Sequence, residues 1–227
     1  MEGSAVSVDP AVFALTSRNG LVRVTCNSRF WIPCPRSFPA GFDRESWAAH
    51  ASQTWWDTSG LRPEQNSVDR LAAMLRLIHE DSYATIPCHH IMVYVRDPAA
   101  LPLPVHIGIW VMARNRDEQL LSLSGGNDPL VVRPPLVSSF TTASLGAGVK
   151  TIRHQRQKDD LIIFLLGYGF RSAEHATDVQ VTVWAADSAV LLKAIPDIED
   201  MIRGMTVYRN DTQDDDTQDN DTQPVLG

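Results

Sequence analysis

Leu161-Ile162-Ile163-Phe164-Leu165-Leu166, followed by Val179-Gln180-Val181-Thr182-Val183-Trp184, decides the fold of this chain. The first run is continuously apolar, as in a strand buried on both faces. The second alternates strictly, as in a strand with one wet face. A helical pattern through Leu191, Leu192, Ile195, Ile198 and Met201-Ile202 comes next and leads into Met205-Thr206-Val207. Two strands, an amphipathic helix and a last short strand predict an α+β domain whose core closes near its C-terminal end.

Working outward, Val12 to Leu15 and Leu21 to Thr25 read as two strands joined at Ser17-Arg18-Asn19-Gly20, because Asn-Gly tolerates the positive φ of a tight hairpin. Phe30 to Gly41 holds three prolines and reads as an extended connection. A helix is expected from Asp43, as N-cap, to Trp56, with Trp47, Ala51, Thr54 and Trp55 on one face. Asn66 caps a second, over Ser67 to Glu80, in which Val68, Leu71, Ala72, Leu75 and Ile78 keep helical spacing. Strands follow at His89 to Arg96 and Val105 to Ala113, then a short helix at Arg116 to Leu123. Hairpins are expected from Leu136 to Gln155, turning at Leu145 to Gly148, and from Asp160 to Trp184. Pro196 is read as an interruption of the last helix, Asp187 to Gly204.

Composition places the chain among ordinary globular proteins, with 44% hydrophobic and 21% charged residues in 227. No composition break divides residues 11–208, which are read as one domain after a loose leader at 1–10. Residues 209–227 form an acidic Asp/Thr/Gln tail with too little apolar surface to fold. Residues 210–227 of that tail carry six aspartates and no Lys or Arg, leaving −1 of the formal −7 for residues 1–209. The body therefore has no basic field to attract nucleic acid or anionic lipid, and neither is expected as a partner. Leu161 to Phe170 is the longest apolar run, half the roughly 20 residues a membrane span needs. Three cysteines without a CxxC pair, and no basic region followed by an apolar stretch at the N-terminus, point to reduced thiols in a cytoplasm.

Candidate chemistry centres on Cys88-His89-His90. On a strand, Cys88 and His90 share one side, and with His79 or Cys34 they could offer sulfur and imidazole ligands to zinc. Surface histidines beside a half-buried cysteine are the simpler reading, and no cofactor is expected. Cys34, in Trp31-Ile32-Pro33-Cys34-Pro35, is a second candidate as a thiol nucleophile, but nothing beside it marks activation. His79-Glu80-Asp81 is read as the end of the second helix, where the dipole favours a histidine. The six tryptophans lie in or beside apolar patterns and read as core. Neither GxxxxGK[ST], GxGxxG, GxSxG nor HExxH occurs.

Trp31-Ile32-Pro33, Trp55-Trp56, Leu101-Pro102-Leu103-Pro104-Val105, Pro134-Pro135 and Ile195 to Ile202 together resemble a family of small actinobacterial proteins of unknown function. The element order is similar, more distantly, to the PsbP-like α/β/α sandwich shared with DcrB-like lipoproteins. That resemblance implies an antiparallel sheet with helices packed on its faces, and association rather than catalysis. The expectation is a non-catalytic protein-binding or adaptor module, with homo-oligomerisation as an option. The alternative is a small metal-dependent or thiol enzyme built around Cys88, His89 and His90.

Overall fold

The computed structural model describes residues 11–17, 20–64, 66–85, 88–98, 100–112, 116–157 and 160–208. The leader, the acidic tail and the Arg18-Asn19 half of the first turn lie outside the described residues.

The chain forms two antiparallel sheets. The smaller has the order β1-β2-β10, from Ala11–Ser17, Gly20–Cys26 and Met205–Tyr208. The larger contains β3 (Trp31–Cys34), β4 (His90–Tyr94), β5 (Leu103–Val111), β6 (Leu136–Thr142), β7 (Gly146–Arg156), β8 (Ile162–Ser172) and β9 (Thr177–Ala185). Its order is β3-β4-β5-β9-β8-β7-β6. Helices are α1 (Arg44–Ser59), α2 (Ser67–Thr85), α3 (Arg116–Leu123) and α4 (Ser188–Arg203). The fold is α+β, as the periodicities predict. No described helix is long and apolar enough to cross a membrane.

Register sorts the large sheet into two faces. One row runs Cys34, Ile91, His106, Thr182, Gly167, Thr151, Val137 across all seven strands. Against this face α1 and α2 bury Trp47, Trp55, Trp56, Leu71 and Leu75 in one cluster with Ile32, Cys34, Ile91 and Val93. Further along, α3 lies on β7 and β8. Glycine makes that approach possible: a Cβ at Gly167 would sit 2.1 Å from the Ser124 carbonyl oxygen. The same carbonyl, at the C-terminal end of α3, accepts from Arg153 Nη1 at 2.7 Å and from the Thr151 hydroxyl. A cation at that end complements the helix dipole.

The opposite face supplies Met92, Val105, Ile107, Leu166, Tyr168, Phe170 and Val183 to a larger cluster. Val22, Val24, Met205 and the buried side of α4 complete it, so the small sheet closes the same core. Polar anchors set the position of α4: Lys150 Nζ (2.7 Å) and Tyr168 Oη (3.1 Å) donate to Glu199, and Tyr94 Oη donates to Asp197.

Several boundaries depart from the sequence reading, each for a local reason. The proline-rich Phe30 to Gly41 segment contains β3, which accepts Pro33 because it is an edge strand. The last helix is continuous through Pro196. The carbonyl that Pro196 cannot satisfy belongs to Leu192, 57% exposed, where water can replace the lost donor. The β6–β7 turn is Ala143–Leu145, so Gly148 lies within a strand rather than in the turn. Leu161 and Ile162 are exposed, and the buried part of β8 starts at Ile163. Along β9 the polar positions Gln180 and Thr182 are half-buried rather than wet, with Gln180 Nε2 donating to the Leu123 carbonyl at the end of α3. Asp43 caps α1 as expected, accepting from Ser46 N at 2.8 Å.

Candidate functional site

The residues singled out for chemistry separate in the fold. β4 starts only at His90, and Cys88 precedes it. His90 is paired with Ile107, on the face of Met92 and Tyr94, whereas the Cys88 side chain packs with Ile91, Val93 and Cys34 in the helix-side cluster. The expectation that Cys88 and His90 share one side is therefore corrected: a strand alternates only from where it begins. Cys88 and Cys34 do become electrostatic neighbours. Beside them, Tyr83 Oη donates to the Cys34 carbonyl at 2.8 Å and Arg36 Nη1 to the Cys88 carbonyl at 3.3 Å.

His89 accepts from Ile109 N at its Nδ1, 2.8 Å away, which leaves the proton of the neutral ring on Nε2. Burial and the Arg36 guanidinium hold its pKa below the usual histidine value. His90 is pushed down to about 4 by burial, then by His89 and Arg36. His79 is not at a helix end, because α2 continues to Thr85. Its ring lies among Phe38, Trp47 and Tyr83, with centroids 5.0, 5.8 and 5.5 Å away, and burial lowers its pKa. The dipole account of His79 is replaced by aromatic packing.

Among the described residues no group of three or more His, Cys, Asp or Glu side chains is arranged to hold a metal ion. Arg36, which bears on Cys88, His89 and His90 together, adds a fixed positive charge that opposes a cation there.

Thiol nucleophiles fare no better. Burial pushes Cys34 and Cys26 up to about 12 and Cys88 up to about 11, so all three are protonated at neutral pH. An aqueous disulfide reagent is expected to titrate three thiols in the urea-unfolded chain and almost none in the native protein on the same timescale. Rapid native labelling at Cys88 would show that this pocket opens.

A different surface combines exposure with apolar character. On α2, Met74 and Leu77 lie beside the stripe that faces the core, and Ile78, which packs against that core, lines the same groove. Leu101, Pro102 and Pro104 line the same groove, as do Trp184, Ala186 and Val190 where β9 passes into α4, with Asp81 and Asp187 among them. The resulting groove has a volume of about 320 Å³. Its rims stand out from the protein: Leu77 is 59% and Leu101 75% exposed. Met74 and Leu77 are the signal the sequence did contain, since α2 is apolar over a wider arc than packing on one sheet requires. All six tryptophans are buried or half-buried, as their apolar settings predict.

The chain matches no family model, and a comparison with curated proteins found no match.

Proposed function

We propose that this protein is a non-catalytic binding module that holds an amphipathic helix of a partner protein in the groove between α2 and the start of α4. The observation that carries this reading is the mostly apolar lining, in which Leu77 of α2 and Leu101 of the segment before β5 are both strongly exposed. Isolated exposed leucines are ordinary, but apolar side chains gathered around one groove offer a partner somewhere to bury its own. Pro102 and Pro104 on one wall have no N–H to offer, which disfavours strand addition there. Recognition through side chains remains, and a helix presenting apolar residues at i, i+3 and i+4 fits such a groove. The buried, protonated thiols lend no support to the enzyme built around Cys88, His89 and His90. Cys26, Cys34 and Cys88 are all free and buried, which agrees with a reducing compartment, and we place the module in the cytoplasm.

Leu77→Asp and Leu101→Asp test this. Both positions are exposed, so each variant is expected to unfold within about 0.5 kcal/mol of the wild type. A photo-crosslinker at Met74 is expected to attach to a helical segment of one partner protein, and either aspartate to abolish that product. An identical crosslinking pattern in wild type and variants, or none in either, would refute the groove as the site.

A further inference from the structure

The large sheet ends on two edges that are built differently. β3 is four residues long and contains Pro33. β6, at the other end, is seven residues, Leu136-Val137-Ser138-Ser139-Phe140-Thr141-Thr142, with neither proline, glycine nor charge. Among the described residues no strand pairs with its outer side. Natural sheets protect their edges with charge, proline, bulges or a covering element, because an open edge is a template for another strand. β6 has no such charge or proline along its length.

Apolar surface collects beside this edge. Val132 N donates to the His154 carbonyl at 2.9 Å, so the segment before β6 extends the same border along β7. That border exposes Leu130 (56%), Val132 (40%), Leu136 (69%) and Val137 (53%), and Leu161 and Ile162 lie exposed near the same end.

We propose that β6 is the subunit contact of a two-fold homodimer, in which the β6 edges of two copies pair antiparallel and join their large sheets. A two-fold contact must be self-complementary, and this strand is. Pairing over all seven residues centres on Ser139 facing the partner's Ser139. It sets Leu136 against the partner's Thr142, Val137 against the partner's Thr141 and Ser138 against the partner's Phe140. No charge meets a like charge anywhere along the ladder. Residues 1–209 carry a formal charge of only −1, so little long-range repulsion opposes a second copy. The paired edge would run about 24 Å at roughly 3.4 Å per residue. The leucines and valines beyond Leu136 widen that contact toward the roughly 800 Å² per partner of a stable interface.

Sedimentation velocity on the full chain tests the proposal. The wild type is expected to be dimeric at micromolar concentration, with β6 amides more protected from hydrogen exchange as concentration rises. Ser139→Glu would set two carboxylates face to face on the two-fold axis and is expected to weaken the dimer roughly tenfold or more. Its far-UV spectrum should match the wild type, and its melting temperature should match that of the wild type diluted until it too is monomeric. Leu77→Asp, in the distant groove, should stay dimeric. A wild type that is monomeric throughout would overturn the proposal, as would a Ser139→Glu dimer of unchanged affinity. A monomer with fully protected β6 amides would assign the edge to another segment of this chain, and loss of the dimer in Leu77→Asp would move the contact to the groove; both refute it.

Discussion

Asp178→Ala is expected to lower the unfolding free energy by about 3–5 kcal/mol, the usual result of breaking one side of a buried ion pair. Asp178 lies on β9 opposite Arg171 on β8, and the two side chains are 0% and 6% exposed. The guanidinium donates twice, Nε to Oδ1 at 2.7 Å and Nη2 to Oδ2 at 2.8 Å. Such a fork satisfies both carboxylate oxygens, and neither charge can turn to water. Removing the carboxylate takes the bidentate partner from a buried guanidinium that keeps its proton. The cost includes the poorly compensated burial of that charge as well as the lost contacts.

A domain of this size commonly has 5–15 kcal/mol in total, so the variant should melt roughly 10 °C lower or fail to accumulate. The double variant Arg171→Met/Asp178→Leu separates the two explanations. If stranded charge is the cause, the apolar pair should recover most of the loss. If the pair instead fixes the β8–β9 register, the double variant should stay as unstable as Asp178→Ala. Urea titration of the three proteins decides between them.

This pair shows how unevenly the sequence displays its fold. Arg171 and Asp178 sit at the ends of two runs whose strand character is plain from Leu161 to Trp184, yet nothing in the residue order says that they face each other. That follows from the short connection Ala173–Ala176, which sets the register. Elements with an uninterrupted period were legible: α2, α3, β8 and β9 all lie where their spacing puts them, with α2 running five residues past Glu80. Prolines misled in both directions. Pro33 concealed an edge strand, and Pro196 suggested a break in a helix that tolerates it at an exposed turn.

The candidate site was less legible for a topological reason. Its walls come from Met74 to Ile78, Leu101 to Pro104 and Trp184 to Val190, three segments that only the packing of α2 beside the β9–α4 junction brings together. The chemistry-bearing residues, in contrast, were conspicuous because they are adjacent in sequence. Cys88-His89-His90 drew attention as a triplet, and the start of β4 sends Cys88 and His90 to different sides.

Acidification is expected to destabilise the protein through His106, with the effect developing between about pH 6.5 and pH 4. His106 lies in the centre of β5, 2% exposed, between Ile91 on β4 and Thr182 on β9. Neither ring nitrogen makes a well-formed hydrogen bond among the described residues, and the Thr182 backbone is the polar group that approaches the ring. Burial therefore penalises the charged ring and pushes its pKa down to about 4, with the Thr182 backbone offsetting part of the shift. In the unfolded chain the same ring titrates near 6.5. Below that pH the unfolded state binds a proton that the folded state refuses, so stability falls as pH falls and levels off only below the folded value. The full difference amounts to about 3 kcal/mol. Half-buried His90, also pushed down to about 4, acts in the same direction with a smaller effect because water reaches it.

Carboxylates begin to contribute near pH 5, so the informative window is pH 5 to 6.5. There, His106→Leu should flatten the dependence of unfolding free energy on pH, while leaving stability at pH 8 within about 1.5 kcal/mol of the wild type. Parallel curves for the two proteins would mean that the folded state protonates His106 as readily as the unfolded chain does. The ring would then have a hydrogen-bond partner or a path to water, and the helix-side face of the sheet would be less dry than its packing against α1 and α2 implies.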